Sequence, residues 1–397
     1  MMSVWSSLVG QDAAVAKLSE AAASARAIVA SRGSGRATDE ARSMSHAWLI
    51  TGPPGSGRSV AARAFAAALQ CTGATPGCGQ CPGCRTTMGR TNADVLFAAT
   101  ETSIINVDTA RSLVLQAQSS PSQGLWRVIV VEDADRLGES GANALLKAIE
   151  EPPEHTVWLL CAPSPEDMIA TIRSRCRHLG LRIPTATAVA DLLVREGIAT
   201  PEVALEAARA AQSHIGLARA LARDPQMRER RRSIITAPAS VRSVGEAVMA
   251  ADRLLETAKA QADAQVSDRN AREKADLLRQ LGMEEGESAT KASRTMLRQL
   301  EEDQKRRSKR ALTDAIDRAL IDLLAIYRDV LMVQVGGDGE LINTDLSELV
   351  HQIAHDSTPH QTLARVDHIE TARKRLVSNG NPLLVLEDMA ISLRPQA

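Results

Sequence analysis

The chain has 397 residues and a formal net charge of −1, with 44% apolar, 24% charged and 2% aromatic residues. That length leaves room for two or three domains with separate cores. The near-neutral charge excludes a protein that grips nucleic acid through a broad basic surface alone. No apolar run approaches the roughly 18 residues of a membrane span. The first nine residues show no basic segment leading into a long apolar stretch, so the expected location is cytoplasmic, without membrane contact. Six cysteines, four of them clustered, fit a reduced compartment and a metal site better than a disulfide framework.

In chain order, residues 4–31 read as helical, with Val9, Val15 and Leu18 among the apolar positions, until Gly33-Ser34-Gly35 breaks the pattern. Residues 47–51 form a short apolar strand, followed by a glycine-rich turn and an alanine-rich helix over about 59–70. Further strands are predicted at 95–97, 127–131 and 157–161, with helices over 107–117 and 141–151, the latter stopped by Pro152-Pro153. Alternating strands and helices predict an α/β domain with a parallel sheet over residues 1–183. Strand signals then fade, giving a small helical domain over 184–225 and an all-helical domain over 226–397. Leu312, Ile316, Leu320, Leu323, Tyr327 and Val330 recur at three- and four-residue steps and predict one buried stripe on a long helix. Residues 264–310 are highly charged, with a weak patch at 282–286 and a basic run, Lys305-Arg306-Arg307-Ser308-Lys309-Arg310. A solvated helix face is the expected reading of that run, a DNA or partner contact the alternative.

Gly52-Pro53-Pro54-Gly55-Ser56-Gly57-Arg58-Ser59 has the spacing of a phosphate-binding loop between a strand and a helix. Its glycines let backbone N–H groups surround phosphate oxygens, and the helix N-terminus adds partial positive charge. Ser59 is placed to ligate Mg²⁺. Arg58, however, stands where the motif requires lysine, and a forked guanidinium cannot replace a compact ammonium between two phosphates. After the strand at 127–131 come Glu132-Asp133, the inverse of the Asp-Glu order an ATPase of this kind uses, which misplaces each carboxylate by about one methylene. Binding of ATP and Mg²⁺ is therefore expected to be weak or absent, and turnover poor.

Cys71, Cys78, Cys81 and Cys84 lie within fourteen residues of a Gly/Pro-rich loop, a spacing that suits a closed, tetrahedral, structural Zn²⁺ site. An iron–sulfur cluster is the alternative for four cysteines. Cys161 and Cys176 read as small buried side chains, and His351, His355 and His360 as surface or packing residues.

These pieces together resemble the clamp-loader branch of the AAA+ superfamily. The carriers are Val9-Gly10-Gln11, the entry His46-Ala47-Trp48-Leu49, and the cysteine module after the phosphate-loop helix. They also include the segment Asn143-Ala144-Leu145-Leu146-Lys147-Ala148-Ile149-Glu150-Glu151-Pro152-Pro153, the triplet Ser174-Arg175-Cys176, and Gly216-Leu217-Ala218-Arg219. Asn381-Pro382-Leu383 and Leu386-Glu387-Asp388 resemble the last helix of the family's collar domain. The resemblance implies an AAA+ domain with a zinc-binding insertion, a helical lid and a helical collar. It implies work in a DNA polymerase III assembly with delta and gamma/tau subunits, a sliding clamp and primed DNA. It also implies a nucleotide-binding role for Arg219, and for Arg175 the role of an arginine finger completing a neighbour's ATP site. Arg58, the inverted acid pair, Ala162-Pro163 in place of a polar sensor, and the lack of a long Pro-rich tail favour the delta-prime kind. The ATP-hydrolysing gamma/tau kind is the alternative.

Overall fold

The computed structural model describes residues 3–31, 43–98, 105–241, 243–281 and 291–394. The predicted breaks at Gly33-Ser34-Gly35 and at 282–286 lie outside the described residues. The chain divides into two compact units, Met1–Arg219 and Ala220–Ala397.

The first unit is built on a five-stranded sheet. In chain order it contains α1 (Asp12–Ser31), β1 (Ala47–Thr51), α2 (Arg58–Leu69), α3 (Pro82–Met88), β2 (Val95–Ala98), α4 (Val107–Ala117) and β3 (Arg127–Val131). Then come α5 (Glu139–Glu150), β4 (Thr156–Ala162), α6 (Ala170–Arg173), β5 (Arg177–Gly180), α7 (Ala186–Arg195), α8 (Pro201–Ala210) and α9 (Ile215–Arg223), the unit boundary falling within α9. The strand order is β2-β3-β4-β1-β5 and every pairing is parallel.

The central strands are continuous apolar runs because both faces of the sheet are covered. Trp48, Ile50, Val128, Val130, Leu159 and Cys161 join α1 and α2 in one core; Leu49, Ile129, Val131, Trp158 and Leu160 join α4 and α5 in another. Trp48 packs edge-on to Phe65 of α2 at a centroid distance of 5.2 Å. The period-two alternation across the strands thus assigns each residue to one of two layers.

Two sequence expectations need correction here. Residues 4–31 are not one helix: Val4–Ser7 form a 3-10 turn, Gly10 takes a φ of 69°, and α1 starts at Asp12. β5 gave no apolar run, because on this edge strand only Leu179 is buried. Its Arg177 stacks on Trp48 at 5.0 Å, and such polar edge strands resist further pairing.

The second unit is helical: α10 (Pro225–Ser240), α11 (Val244–Gln280), α12 (Lys291–Gln334), α13 (Ser347–Asp356), α14 (Pro359–Val377) and α15 (Pro382–Ser392). The predicted stripe on α12 is buried at Ile316, Leu320, Leu323, Tyr327 and Val330, with Leu312 at its edge. Capping fixes the helix starts: Ser243 with Glu246 opens α11, Thr358 with Gln361 opens α14, and the Asn381 side chain caps α15. A buried polar knot supports the turn before α13. Asp329 accepts from the N–H of Ile342 at 3.0 Å and of Asn343 at 2.8 Å, while Arg231 spans Asp322 and Asn343.

α11 and α12 pair antiparallel. Ala258 and Ala315 share the main helical core, Ala262, Val266 and Ala311 form a small cluster further out, and beyond it Arg307 bonds Asn270 and Glu273. At about 1.5 Å per residue, the 37 residues of α11 extend about 55 Å. The described residues of the charged segment, 264–281 and 291–310, form the outer part of this hairpin, where Lys305, Arg306 and Lys309 are exposed, as expected of a solvated face.

Candidate functional site: a phosphate loop and a four-cysteine cluster on one helix

The phosphate loop leaves β1 at the carboxyl ends of the strands, where ligands of parallel α/β sheets bind. The Gly52 N–H donates to the Pro163 carbonyl at 3.1 Å, tying the loop to the end of β4. Gly55 and Gly57 both adopt φ of 90°, which a side chain would strain. At Gly55 an added Cβ would lie 2.9 Å from the His214 Cα, so the turn between α8 and α9 rests directly on the loop. Gln11 organises the other side: its amide donates to the carbonyls of Arg182 at 2.6 Å and Ser56 at 3.3 Å, and accepts from the Arg182 N–H.

Two features fit a phosphate. Gly57, the residue before α2, offers no side-chain cap, so the first-turn N–H groups of Arg58 and Ser59 are not capped from within the loop. The Ser56 hydroxyl is buried without a hydrogen-bond partner. Pro53 and Pro54 are exposed on the rim.

The charged groups are differently disposed. The Arg58 guanidinium folds back onto the Gly52 carbonyl of its own loop. Glu132 pairs with Arg90 at 2.5 Å, and Arg219 is held in a two-pronged bond by Glu196 at 2.9 and 2.8 Å. Arg58, Glu132 and Asp133 all lie within electrostatic reach of the buried Cys161 thiol of β4. Burial, reinforced by Glu132, pushes that thiol up to about 12.

Arg175 lies apart from this group. It follows α6, and its partners are Glu150 of α5, the Thr171 carbonyl at 2.8 Å and the Ser174 hydroxyl at 3.2 Å. None of these is a phosphate-loop residue, and the side chain is 39% exposed.

The cysteine cluster sits at the far end of α2. The ligand atoms of Cys71, Cys78, Cys81 and Cys84 all lie within 4.8 Å of one another. The Cys71–Cys81 sulfur separation of 3.8 Å matches the edge of a tetrahedron with Zn–S bonds of about 2.3 Å. The N–H groups of Cys81 and Cys84 point at the sulfurs of Cys78 and Cys81, 3.4 Å away in each case. Burial raises the Cys81 thiol, but N–H donors outweigh it and bring it down to about 6; burial and the neighbouring sulfurs push Cys84 up. Four crowded thiols cannot all ionise unaided, whereas a divalent cation at their centre removes the conflict. The donor set therefore fits structural zinc.

Several supporting residues gave no signal in the sequence. Arg26 of α1 donates to the carbonyls of Cys71, Gly73 and Ala74, each at 2.8 Å, and braces the cysteine loop. Asp94, fully buried, accepts from the N–H groups of Ser122, Gln123 and Gly124 at 2.6–2.7 Å and fastens the turn before β3. Burial alone would raise its carboxyl; these donors hold it below the ordinary carboxylate range. Arg90 and Glu196 likewise act through partners remote in sequence. Among the described residues the histidines at 351, 355 and 360 are exposed and form no metal-binding group.

Residues 36–185 match the family described as DNA polymerase III, delta subunit. The delta' subunit of Pseudomonas aeruginosa is 35% identical over 165 residues, covering 41% of this chain and 50% of that protein. The delta' subunit of Escherichia coli is 34% identical over 180 residues, covering 44% and 54%. The gamma/tau subunit of Mycobacterium tuberculosis is 36% identical over 162 residues, covering 39% of this chain and 28% of the relative. The chain thus spans about half the length of the delta' relatives and less than a third of the gamma/tau one.

Proposed function

We propose, from the match of residues 36–185 to the DNA polymerase III delta subunit family and the likeness to delta' relatives, that this chain is the delta-prime kind of clamp-loader subunit. In this reading it hydrolyses little or no ATP itself and supplies Arg175 to the ATP site of an adjacent gamma/tau subunit. Delta and gamma/tau subunits are its partners, and the assembly places a sliding clamp on primed DNA.

One contrast carries the reading. Arg58, in the place of the phosphate-loop lysine, is spent on a carbonyl of its own loop, whereas Arg175 stands partly exposed on a short turn away from that loop. A guanidinium reaching another subunit has to stand at the surface, where it can exchange its Glu150 partner for one in trans. Arg175 would stabilise charge developing on the neighbour's terminal phosphate, a contribution worth about 10³–10⁵ in rate when supplied in trans. The four cysteines would hold a structural zinc that stiffens the insertion without entering the chemistry. Arg219 and the backbone of residues 52–59 would contact nucleotide only weakly, since Glu196 and Gly52 already satisfy the two arginines.

The test is Arg175→Ala in a reconstituted loader. DNA- and clamp-stimulated ATPase should fall by about 10³, with assembly intact by gel filtration. Unchanged ATPase in an intact assembly removes the finger role. The second reading, a self-sufficient ATPase of the gamma/tau kind, is favoured by the comparable identity to gamma/tau relatives and by the uncapped start of α2. It requires turnover by the purified chain alone that Ser59→Ala abolishes.

A further inference from the structure

The segment that closes the cysteine module also reaches the carboxylate at the end of β3. α3 runs back from Cys84 and stops at Gly89, and Arg90 follows with φ of 58°. Its N–H bonds the Thr87 carbonyl at 3.0 Å and the next N–H, that of Thr91, bonds Thr86 at 2.8 Å, the left-handed ending of a helix. That conformation favours glycine or asparagine, and an arginine there carries a strain of about 1 kcal/mol. The side chain has a use for the position. Its guanidinium crosses the Phe97 ring at 4.9 Å and ends 2.5 Å from a Glu132 oxygen. Glu132 is only 13% exposed, so its charge is poorly screened by water and needs a counter-charge close by. Arg63 of α2 adds a second guanidinium near both groups, and its Nε is buried without a hydrogen bond.

We propose that Arg90 is the built-in counter-ion of the nucleotide site: its guanidinium takes the place at Glu132 that a divalent cation would occupy, and so selects against cation-bound nucleoside triphosphate. The proposal rests on the reading of residues 52–59 with Glu132 as a nucleotide pocket. It adds a cause for weak binding that is separate from Arg58. With that carboxylate already paired with Arg90, a divalent ion arriving there meets like charge and must first break the 2.5 Å pair. The cysteine module thereby has a second task besides its own stability, because its closing turn sets the height from which Arg90 reaches β3.

The experiment is a titration of the zinc-loaded full chain with Mn²⁺ and ATP, bound Mn²⁺ being read by electron paramagnetic resonance. Wild type is compared with Arg90→Ala, with Arg90→Gln, which removes the charge but keeps a polar side chain, and with the double variant Arg90→Ala/Glu132→Gln. Both single variants should bind Mn²⁺·ATP about fivefold or more tightly than wild type, the scale set by freeing one partly exposed ion pair. The double variant should return to the wild-type level. Equal affinity in wild type and both single variants overturns the proposal. So does a gain that survives in the double variant, because it would not run through Glu132. Rapid ATP turnover by the wild-type chain alone would instead count against the non-hydrolysing function, whatever the Arg90 variants do.

Discussion

The two ends of α2 carry two glycine-rich loops that look alike as strings of residues and differ as chemistry. At the C-terminal end four sulfurs converge, braced by Arg26 and by N–H groups, and compete with one another for protons. At the N-terminal end the backbone keeps the form of a phosphate cradle, but Arg58, Glu132 and Arg219 have each taken a partner within the chain. Loop spacing dictates backbone shape; whether a ligand finds anything unsatisfied there depends on side chains that arrive from elsewhere. One loop is organised toward a ligand, while the other holds its charges in reserve or has reassigned them.

The strongest way to break this contrast is Cys84→Ser. Removing a buried thiolate from a closed four-ligand site should abolish stoichiometric zinc, measured by elemental mass spectrometry, and cost several kcal/mol; full zinc retention would show that the cluster is not one site. Next is Asp94→Ala, which strands the donors of Ser122, Gln123 and Gly124 and should cost about 3 kcal/mol in urea unfolding. Because the folded Asp94 pKa lies below its unfolded value of about 3.9, this stabilisation is full above that value and is lost as pH falls through the folded pKa. The gap between wild type and Asp94→Asn should therefore narrow on acidification below about pH 4. Gly55→Ala, at φ of 90° and against His214, should cost about 1–3 kcal/mol in thermal unfolding. The smallest effect sharpens the contrast at the phosphate loop. Glu196→Ala releases a pair in which each side chain is about 30% exposed, and should change stability by no more than about 1 kcal/mol in the same measurement.

Much of the sheet was legible in the sequence because buried parallel strands are apolar from end to end. The ranges 47–51, 107–117 and 127–131 coincide with β1, α4 and β3. β5 was not, since Arg177, His178 and Gly180 are exposed and only one residue in four carries an apolar signal. The first helix was read too long because the turn at Gly10 interrupts the alanine-rich pattern without removing it. At the candidate site, local spacing revealed the cysteines and the phosphate loop. Ion pairs such as Arg90 with Glu132, Arg175 with Glu150 and Arg219 with Glu196 join positions 42, 25 and 23 residues apart, a pairing that no window of neighbouring residues encodes.

The α11–α12 hairpin has a consequence for how the second unit opens. Among the described residues, near its root it shares the large core with α14 and α15, midway Ala262, Val266 and Ala311 form a small cluster with Leu312 against it, and further out Arg307 bonds Asn270 and Glu273. From the main core to the small cluster the buried apolar anchorage shrinks, and with it local cooperativity. A rod anchored in this way opens more readily in its outer part than at its root. Amide protons along α11 should therefore exchange with deuterium faster near Asn270 than near Ala251.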